Sequence, residues 1–418
     1  MNDTHQQLMR AATQLTREGR LTEATQLIQR ALNGAATAKD TQPKTTPHAD
    51  LIVNPATGSV TLDASATVPG GSVFEVDTIA NAATSTTIAE VRVETLSDEQ
   101  LFSAGVGVSD EVTTTALDRG AFTSGTHTHL SQTRRYKLYV PPGHSGRPLP
   151  LVVMLHGCTQ DPDDFAAGTA MNEVAREQGF YVLYPAQSQA ANPSRCWNWF
   201  KQTDQRRDRG EPALIASMTQ AVVKAQGADA HRVYIAGLSA GGAMATIVAE
   251  AYPEIFAAAG VHSGLARGAA KNVIEALAVM KSGDNTNRPQ STEDSCAQRY
   301  VPTIVFHGDQ DRTVHPRNGE QVIAAVMSNA ASDGDQAQSS TVGEAQIARG
   351  VSSRGRRYTR TIYRDAHGKA LAEHWLVHGA GHAWSGGDAL GSYTDATGPD
   401  ATREMLRFFS EQSGGPAH

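Results

Sequence analysis

The residues with the clearest chemical meaning lie in "VYIAGLSAGGAMA", where Gly237-Leu238-Ser239-Ala240-Gly241 is the one G-x-S-x-G of the chain. A buried β-rich run precedes it and a helical run follows, the strand–turn–helix context of a nucleophile elbow. Such a turn lifts a serine hydroxyl above the sheet at a helix N-terminus, and the glycines are needed because a Cβ there would collide with the backbone. A serine hydroxyl is a weak nucleophile, so acyl transfer also requires a base and a carboxylate to orient it. In a strand–helix scaffold these follow in the order Ser, Asp or Glu, His, each on a loop after a strand.

"PTIVFHGDQDRTVHP" supplies Asp309 and Asp311, and "WLVHGAGHAWSGG" supplies His378 and His382. Asp311 is the favoured carboxylate, because the loop needs a residue or two beyond the strand before a side chain can turn back. Asp309 is then expected to hydrogen-bond the loop backbone. His382, beyond the glycines, is favoured over His378 at the strand end. His307 and His315 are read as structural, and His262 as a satisfied buried histidine near the cleft. The site also needs donors for a developing oxyanion. One is the backbone N–H of Ala240; the other belongs to the loop after "LVVMLHG", where Cys158 follows His156-Gly157. Trp197, Trp199 and Phe200 in "SRCWNWF", together with Trp384 close after His382, are candidates for a substrate wall at the sheet edge where ligands bind.

These residues need a frame. "RRYKLYVPPG", "LPLVVMLHG", "GFYVLYPA", "HRVYIAG", "FAAAGVHSG" and "VPTIVFHG" read as strands. "AAGTAMNEVAREQG", "EPALIASMTQAVVKAQG", "AGGAMATIVAEAYP" and "NGEQVIAAVMSNA" alternate with them as helices, so the class is α/β, a mostly parallel sheet with helices on both faces. Residues 330–356 read as a polar surface insertion. "RYTRTIYRDAHGKALAEHWLVHG" reads as a hairpin around "DAHG", and "PDATREMLRFFSEQ" as a closing amphipathic helix. Upstream, residues 5–33 read as a helical hairpin, with Leu8, Ala12 and Leu15 on one face and Leu21, Ala24, Ile28, Ala31 and Leu32 on the other. The expected division is 1–34 hairpin, 35–121 low-complexity linker with a short strand near 86–96, 122–413 α/β domain and 414–418 tail.

Composition excludes several classes. The chain has 418 residues and a formal charge of −7, which gives no electrostatic reason to bind nucleic acid or an anionic membrane. No apolar run is long enough to span a bilayer. The first residues carry early Asp and Glu without an apolar h-region, so a cytoplasmic location is expected. Three cysteines do not make a disulfide framework. Neither a metal nor an organic cofactor is expected.

Together, "YKLYVPP", "LVVMLHGCTQ", "YPAQSQAANPSRCWNWF", "AGLSAGGAMA", "VFHGDQDRTVHPRN" and "GAGHAWSGG" resemble the short-chain-length polyhydroxyalkanoate (polyhydroxybutyrate) depolymerases over roughly Phe122 to Ser410. The match is to their type-one catalytic domain. The related feruloyl and acetylxylan esterases share the elbow and vary the "CTQ" and "SRCWNWF" segments. The resemblance implies an α/β-hydrolase fold that cleaves 3-hydroxyacid polymers or oligomers through an acyl-enzyme. It puts Ser239, Asp311 and His382 at triad positions and Cys158 and Ala240 at oxyanion positions. Neither a signal peptide nor an appended polymer-binding domain, as carried by secreted members, is expected from these residues. Degradation of extracellular crystalline polymer is therefore not expected, intracellular polymer, soluble oligomers and other small esters stay open, and the 5–33 hairpin is a candidate for self-association or for attachment to a polymer granule. Cys158 and Cys196 fall on loops at one edge of the sheet. A bridge or close thiol pair between them is expected to brace the oxyanion loop, with Cys296 a free thiol.

Overall fold

Alternate side chains of the central strands enter two different cores. Along β5 (Leu151–Leu155), Leu151, Val153 and Leu155 pack into one cluster while Val152 and Met154 pack into another. β7 (Val233–Leu238) divides in the same way, with Val233 and Ile235 on one side and Tyr234, Ala236 and Leu238 on the other. A strand with both faces covered has no polar positions to spare, which is why these segments read as unbroken apolar runs. Each fully buried Val or Leu contributes about 1.5–3 kcal/mol of transfer free energy.

The computed structural model describes residues 51–53, 60–62, 119–143, 146–283, 300–332 and 345–412. The chain divides into two units, Met1–Val108 and Ser109–His418. The first contains an antiparallel pair, β1 (Leu51–Val53) and β2 (Val60–Leu62), with Ile52 opposite Thr61. These two strands lie inside the segment read from sequence as a linker. The 5–33 hairpin, the 86–96 strand and Cys296 lie outside the described residues.

The second unit is built on a ten-stranded sheet in the order β10-β11-β12-β9-β8-β7-β5-β6-β4-β3. The strands are β3 (Ala121–His129), β4 (Gln132–Val140), β5, β6 (Tyr181–Pro185), β7, β8 (Ala258–His262), β9 (Thr303–Gly308), β10 (Gln346–Val351), β11 (Arg357–Arg364) and β12 (Ala370–Val377). From β12 to β6 every neighbouring pair is parallel, and an antiparallel hairpin closes each end. The helices are α1 (Pro162–Thr169), α2 (Met171–Gln178), α3 (Gly210–Gln226), α4 (Ala240–Ala251), α5 (Val273–Ser282), α6 (Arg317–Ser332) and α7 (Ala401–Gln412), with a short two-stranded sheet of β13 (Trp384–Ser385) and β14 (Thr394–Asp395). The residues of α4 join the Leu151 cluster and those of α7 the Val152 cluster, so both faces are covered. This is the α/β-hydrolase arrangement.

Three sequence readings change. "AAGTAMNEVAREQG" is two helices, because Ala170 takes a left-handed conformation (φ 51°) between α1 and α2. The insertion read at 330–356 contains β10, whose side chains are mostly exposed, so no apolar alternation marked it as a strand. Helix α5 was not anticipated. Its start is encoded by Asn272, whose side chain accepts from the Glu275 N–H at 3.0 Å, with Gly283 as the left-handed residue at its end.

Candidate active site

The elbow is dictated by steric crowding at two glycines. A Cβ on Gly237 would stand 2.4 Å from the Gly241 backbone, and one on Gly241 would stand 2.0 Å from the Leu155 carbonyl oxygen of β5. Only glycine allows β7, the turn and β5 to approach this closely. Between them Ser239 adopts φ 57°, ψ −119°, a conformation that L-residues rarely take. Its N–H donates to the His262 carbonyl at 2.9 Å, and its carbonyl accepts from Ala243 at 2.9 Å as α4 begins. The serine stands at the positive end of that helix.

Asp311 lies on the loop after β9 and His382 on the loop after β12. Asp311 Oδ2 and His382 Nδ1 are 2.7 Å apart. The other carboxylate oxygen, Oδ1, accepts the N–H groups of Thr313 and Val314 at 2.9 and 2.8 Å. His307 Nε2, which is bonded to the Val314 carbonyl, approaches Oδ2 to 3.5 Å. Burial pushes the Asp311 carboxyl up, but hydrogen bonding from His307 and His382, the His382 charge and the Val314 N–H outweigh it and hold the group well below the usual carboxylate range. With Asp311 ionised, His382 Nδ1 is the donor in that 2.7 Å contact.

His262 is a packed, neutral imidazole. It is buried, stacked on Trp384 and Phe306, and its Nε2 accepts the Ser385 N–H at 2.9 Å. Burial, reinforced by His307 and His382, lowers its pKa to about 3. His156 behaves alike: burial lowers it to about 4, its Nε2 accepts from the Gln187 N–H, and its Nδ1 bonds the Gly157 carbonyl.

The loop after β5 is pinned from several directions. Cys158 is joined to Cys196 by a disulfide, with a Cα separation of 4.2 Å. Thr159 donates its N–H to the Ser194 carbonyl at 2.7 Å, Gly157 donates to Gln160 Oε1 at 2.9 Å, and Trp197 Nε1 donates to the His156 carbonyl at 3.1 Å. Beneath it the buried carboxylate of Glu211 gathers Gln187 and Asn198, holding the "SRCWNWF" loop. Among the described residues the N–H groups of Cys158 and Ala240 donate to no protein acceptor, as expected for Ala240 in the first turn of a helix.

The aromatic wall needs correction. Trp197 and Trp384 are 0% and 1% exposed, so neither is open to a substrate. Trp384 donates to Thr402 Oγ1 at 3.0 Å and packs edge-on against Phe165. Trp199 is also buried, and Phe200 is half-buried against it. The three tryptophans are framework for the loops, because closing the apolar interior under them removes more surface from water than lining an open cleft would, while Phe200 keeps part of its surface exposed. Sequence reasoning did not single out Glu211, and it took His307 as structural, whereas His307 stands beside the carboxylate. Asp309 does bond the loop backbone as expected, taking the Gly379 N–H at 2.7 Å on one oxygen, and it also meets His378 Nδ1 at 2.9 Å with the other.

The Esterase PHB depolymerase family model matches residues 134–346, just over half of the chain; the matched stretch holds Cys158, Cys196, Ser239 and Asp311 and stops before His382. Poly(3-hydroxyalkanoate) depolymerase C of Paucimonas lemoignei is 32% identical over 248 residues, 57% of this chain and 56% of that protein. A probable acetylxylan esterase A of Neosartorya fischeri is 28% identical over 193 residues, 43% of this chain and 51% of that protein. Feruloyl esterase B of Thermothelomyces thermophilus is 28% identical over 209 residues, 44% and 67% of the two chains. The chain thus spans about half the length of the first curated relatives it matches. Among solved structures, an acetyl xylan esterase from Aspergillus awamori superposes with a TM-score of 0.52 at 20% identity, covering 69% of this chain and 99% of that one, a likeness of fold.

Proposed function

The chain belongs to the esterase PHB depolymerase family, and from that premise we propose that it is a carboxylic ester hydrolase acting on 3-hydroxyacid polyesters or their oligomers. Ser239 is the nucleophile, His382 its base and Asp311 the carboxylate that orients the imidazole. The observation that carries this reading is the 2.7 Å contact between buried Asp311 and His382 in a chain whose strained elbow presents Ser239.

The mechanism follows from the donors and acceptors. His382 Nε2 takes the Ser239 proton as Oγ attacks the ester carbonyl, and Asp311 stabilises the resulting imidazolium. The N–H groups of Cys158 and Ala240 receive the developing oxyanion, at the start of α4 where its dipole favours negative charge. The same proton then passes to the leaving alkoxide as the C–O bond breaks. Water repeats the cycle on the acyl-enzyme with His382 again as base.

A second reading, a small-ester hydrolase of feruloyl or acetylxylan type, uses the same residues and is supported by the similarity to such esterases. Product analysis on amorphous polyhydroxybutyrate, 3-hydroxybutyrate oligomers, methyl ferulate and acetylated xylan separates the two. The proposal expects turnover of the hydroxyacid esters, lowered in Ser239→Ala by roughly 10⁴-fold or more. Turnover of ferulate or acetylxylan alone decides for the second reading, and near-normal activity in Ser239→Ala removes the nucleophile assignment. The Cys158–Cys196 disulfide bears on location, since such bonds persist in oxidising compartments. It favours an oxidising setting over the cytoplasmic one expected from the N-terminal residues.

A further inference from the structure

At the sheet edge that carries the Asp311 and His382 loops lies a second feature, an open pocket of about 670 Å³ bordered by Asp309, Gln310, Arg349, Arg357, His378 and Gly379 and lined by none of Ser239, Asp311 and His382. It lies where β9 and β12 end, β10 ends and β11 begins, the same edge that carries the elbow and the Asp311 loop. Pairing register puts its cationic groups together. Arg349 is opposite Thr359 and Val351 is opposite Arg357, so both arginines share one face of the β10–β11 hairpin. Both are exposed, and among the described residues neither is paired with a carboxylate.

The neighbouring charges are already engaged. Asp309 is committed to His378 and to the Gly379 N–H. His378 Nε2 is bonded to Thr359 Oγ1 at 2.9 Å. Arg356, the next basic group, is held by Asp395, Thr397 and the Gly379 carbonyl. The result is two unneutralised guanidinium groups at the mouth of a cavity whose own acid is occupied. Guanidinium forks fit carboxylates with two parallel hydrogen bonds.

The direction of catalysis says which half of an ester reaches this cavity. The oxyanion donors stand at β5 and at the start of α4, so the carbonyl oxygen points toward β5. The leaving oxygen must face His382, which returns the proton to it, and His382 follows β12 on the opposite side of β7. Beyond β12 come β11 and β10, two strand spacings or roughly 10 Å further along the edge. The alcohol half of the ester therefore extends toward the arginines. In an oligomer of hydroxyacids, the alcohol half is the one that ends in a free carboxylate.

Resting on the ester-hydrolase reading above, we propose that Arg349 and Arg357 form a subsite for the free carboxylate of the leaving hydroxyacid, so that the enzyme cleaves near the carboxyl end of anionic oligoesters. The acid and the alcohol are then released with the anion still on the arginine side, and interior bonds or carboxyl-blocked chains are poorer substrates.

The test compares kcat/KM for 3-hydroxybutyrate trimer as the free acid and as its methyl ester, in the full-length chain and in Arg349→Gln/Arg357→Gln. The expected ratio of acid to methyl ester exceeds one, falls with added salt, and drops about fivefold to tenfold in the double variant, a size suited to two exposed charge-assisted contacts. Arg349→Lys/Arg357→Lys should retain part of the preference, because charge survives while the fork is lost. A ratio near one in the unaltered protein, or one that the double substitution leaves unmoved, overturns the subsite. If neither trimer is cleaved while p-nitrophenyl butyrate is, the hydroxyacid-ester reading fails. Inhibition of p-nitrophenyl butyrate hydrolysis by the trimer acid then still decides the subsite: stronger inhibition than by the methyl ester, lost in the double variant, supports it, and equal inhibition overturns it.

Discussion

The loops after β9 and β12 carry two histidine–aspartate pairs of nearly equal length and very different surroundings. Asp311 and His382 are 2.7 Å apart, and Asp309 and His378 are 2.9 Å apart. The Asp311 side chain is fully buried and the His382 side chain 12% exposed, whereas those of Asp309 and His378 are 29% and 32% exposed. Asp311 also takes two loop N–H groups and the approach of His307, so its charge is held in a dry, fully bonded setting. Asp309 faces water, where screening reduces an ion pair to little. The third partner differs as well: His378 spends Nε2 on Thr359, a β-strand hydroxyl with no elbow beneath it. Contact distance therefore does not separate the two pairs. Burial, the remaining carboxylate bonds and the free ring nitrogen do.

The largest effect expected from this contrast is on catalysis. His382→Ala and Asp311→Asn should each lower kcat on p-nitrophenyl butyrate by roughly 10³-fold to 10⁵-fold. His378→Ala and Asp309→Asn should cost less than about tenfold, because an exposed pair contributes mainly loop order. Initial rates on the four purified variants check this, and a large loss in the second set with a small loss in the first would exchange the roles of the two pairs.

The next effect concerns the loop after β5, which one covalent bond anchors. Closing a loop with a sequence separation of 38 predicts that Cys158→Ala/Cys196→Ala loses roughly 3–4 kcal/mol of stability. Activity should fall further than stability at temperatures where the variant is still folded. Denaturant unfolding and kcat measured side by side separate the two, and an unchanged midpoint would remove the brace.

The smallest effect per residue is gradual and concerns the histidines that share neither pair. Burial lowers His262 to about 3 and His156 and His374 to about 4. Their folded forms stay neutral while an unfolded chain protonates near 6.5. The unfolded state then binds more protons, so stability rises with pH across this window and is lost as pH falls from 6.5 toward 4. Each contributes at most about 2 kcal/mol of loss at pH 5. Thermal midpoints at pH 7.5, 6 and 5 should decline in step, and a midpoint flat over that range would contradict the neutral assignments.

Much of this was written in local sequence. The glycines of the elbow, the unbroken apolar runs and the chain order of Ser239, Asp311 and His382 point to a parallel α/β sheet with chemistry at one edge, because backbone sterics and strand burial act over a few residues. The Asn272 and Gly283 signals for α5 are equally local. Other features depend on partners far apart in sequence. Trp384 reads as a cleft residue until Thr402, Phe165 and His262 close around it. Glu211 carries no local mark of its role, which appears only where Gln187 and Asn198 converge on it. Arg349, in the polar insertion, and Arg357, at the start of the hairpin, look like scattered charges until strand register sets them on one face. Sequence by itself determined the residue types that can do the chemistry and the order in which they arrive. Only the tertiary structure decided which of them are dry, which are paired and which remain free, because burial and pairing are set by what the rest of the chain packs against them.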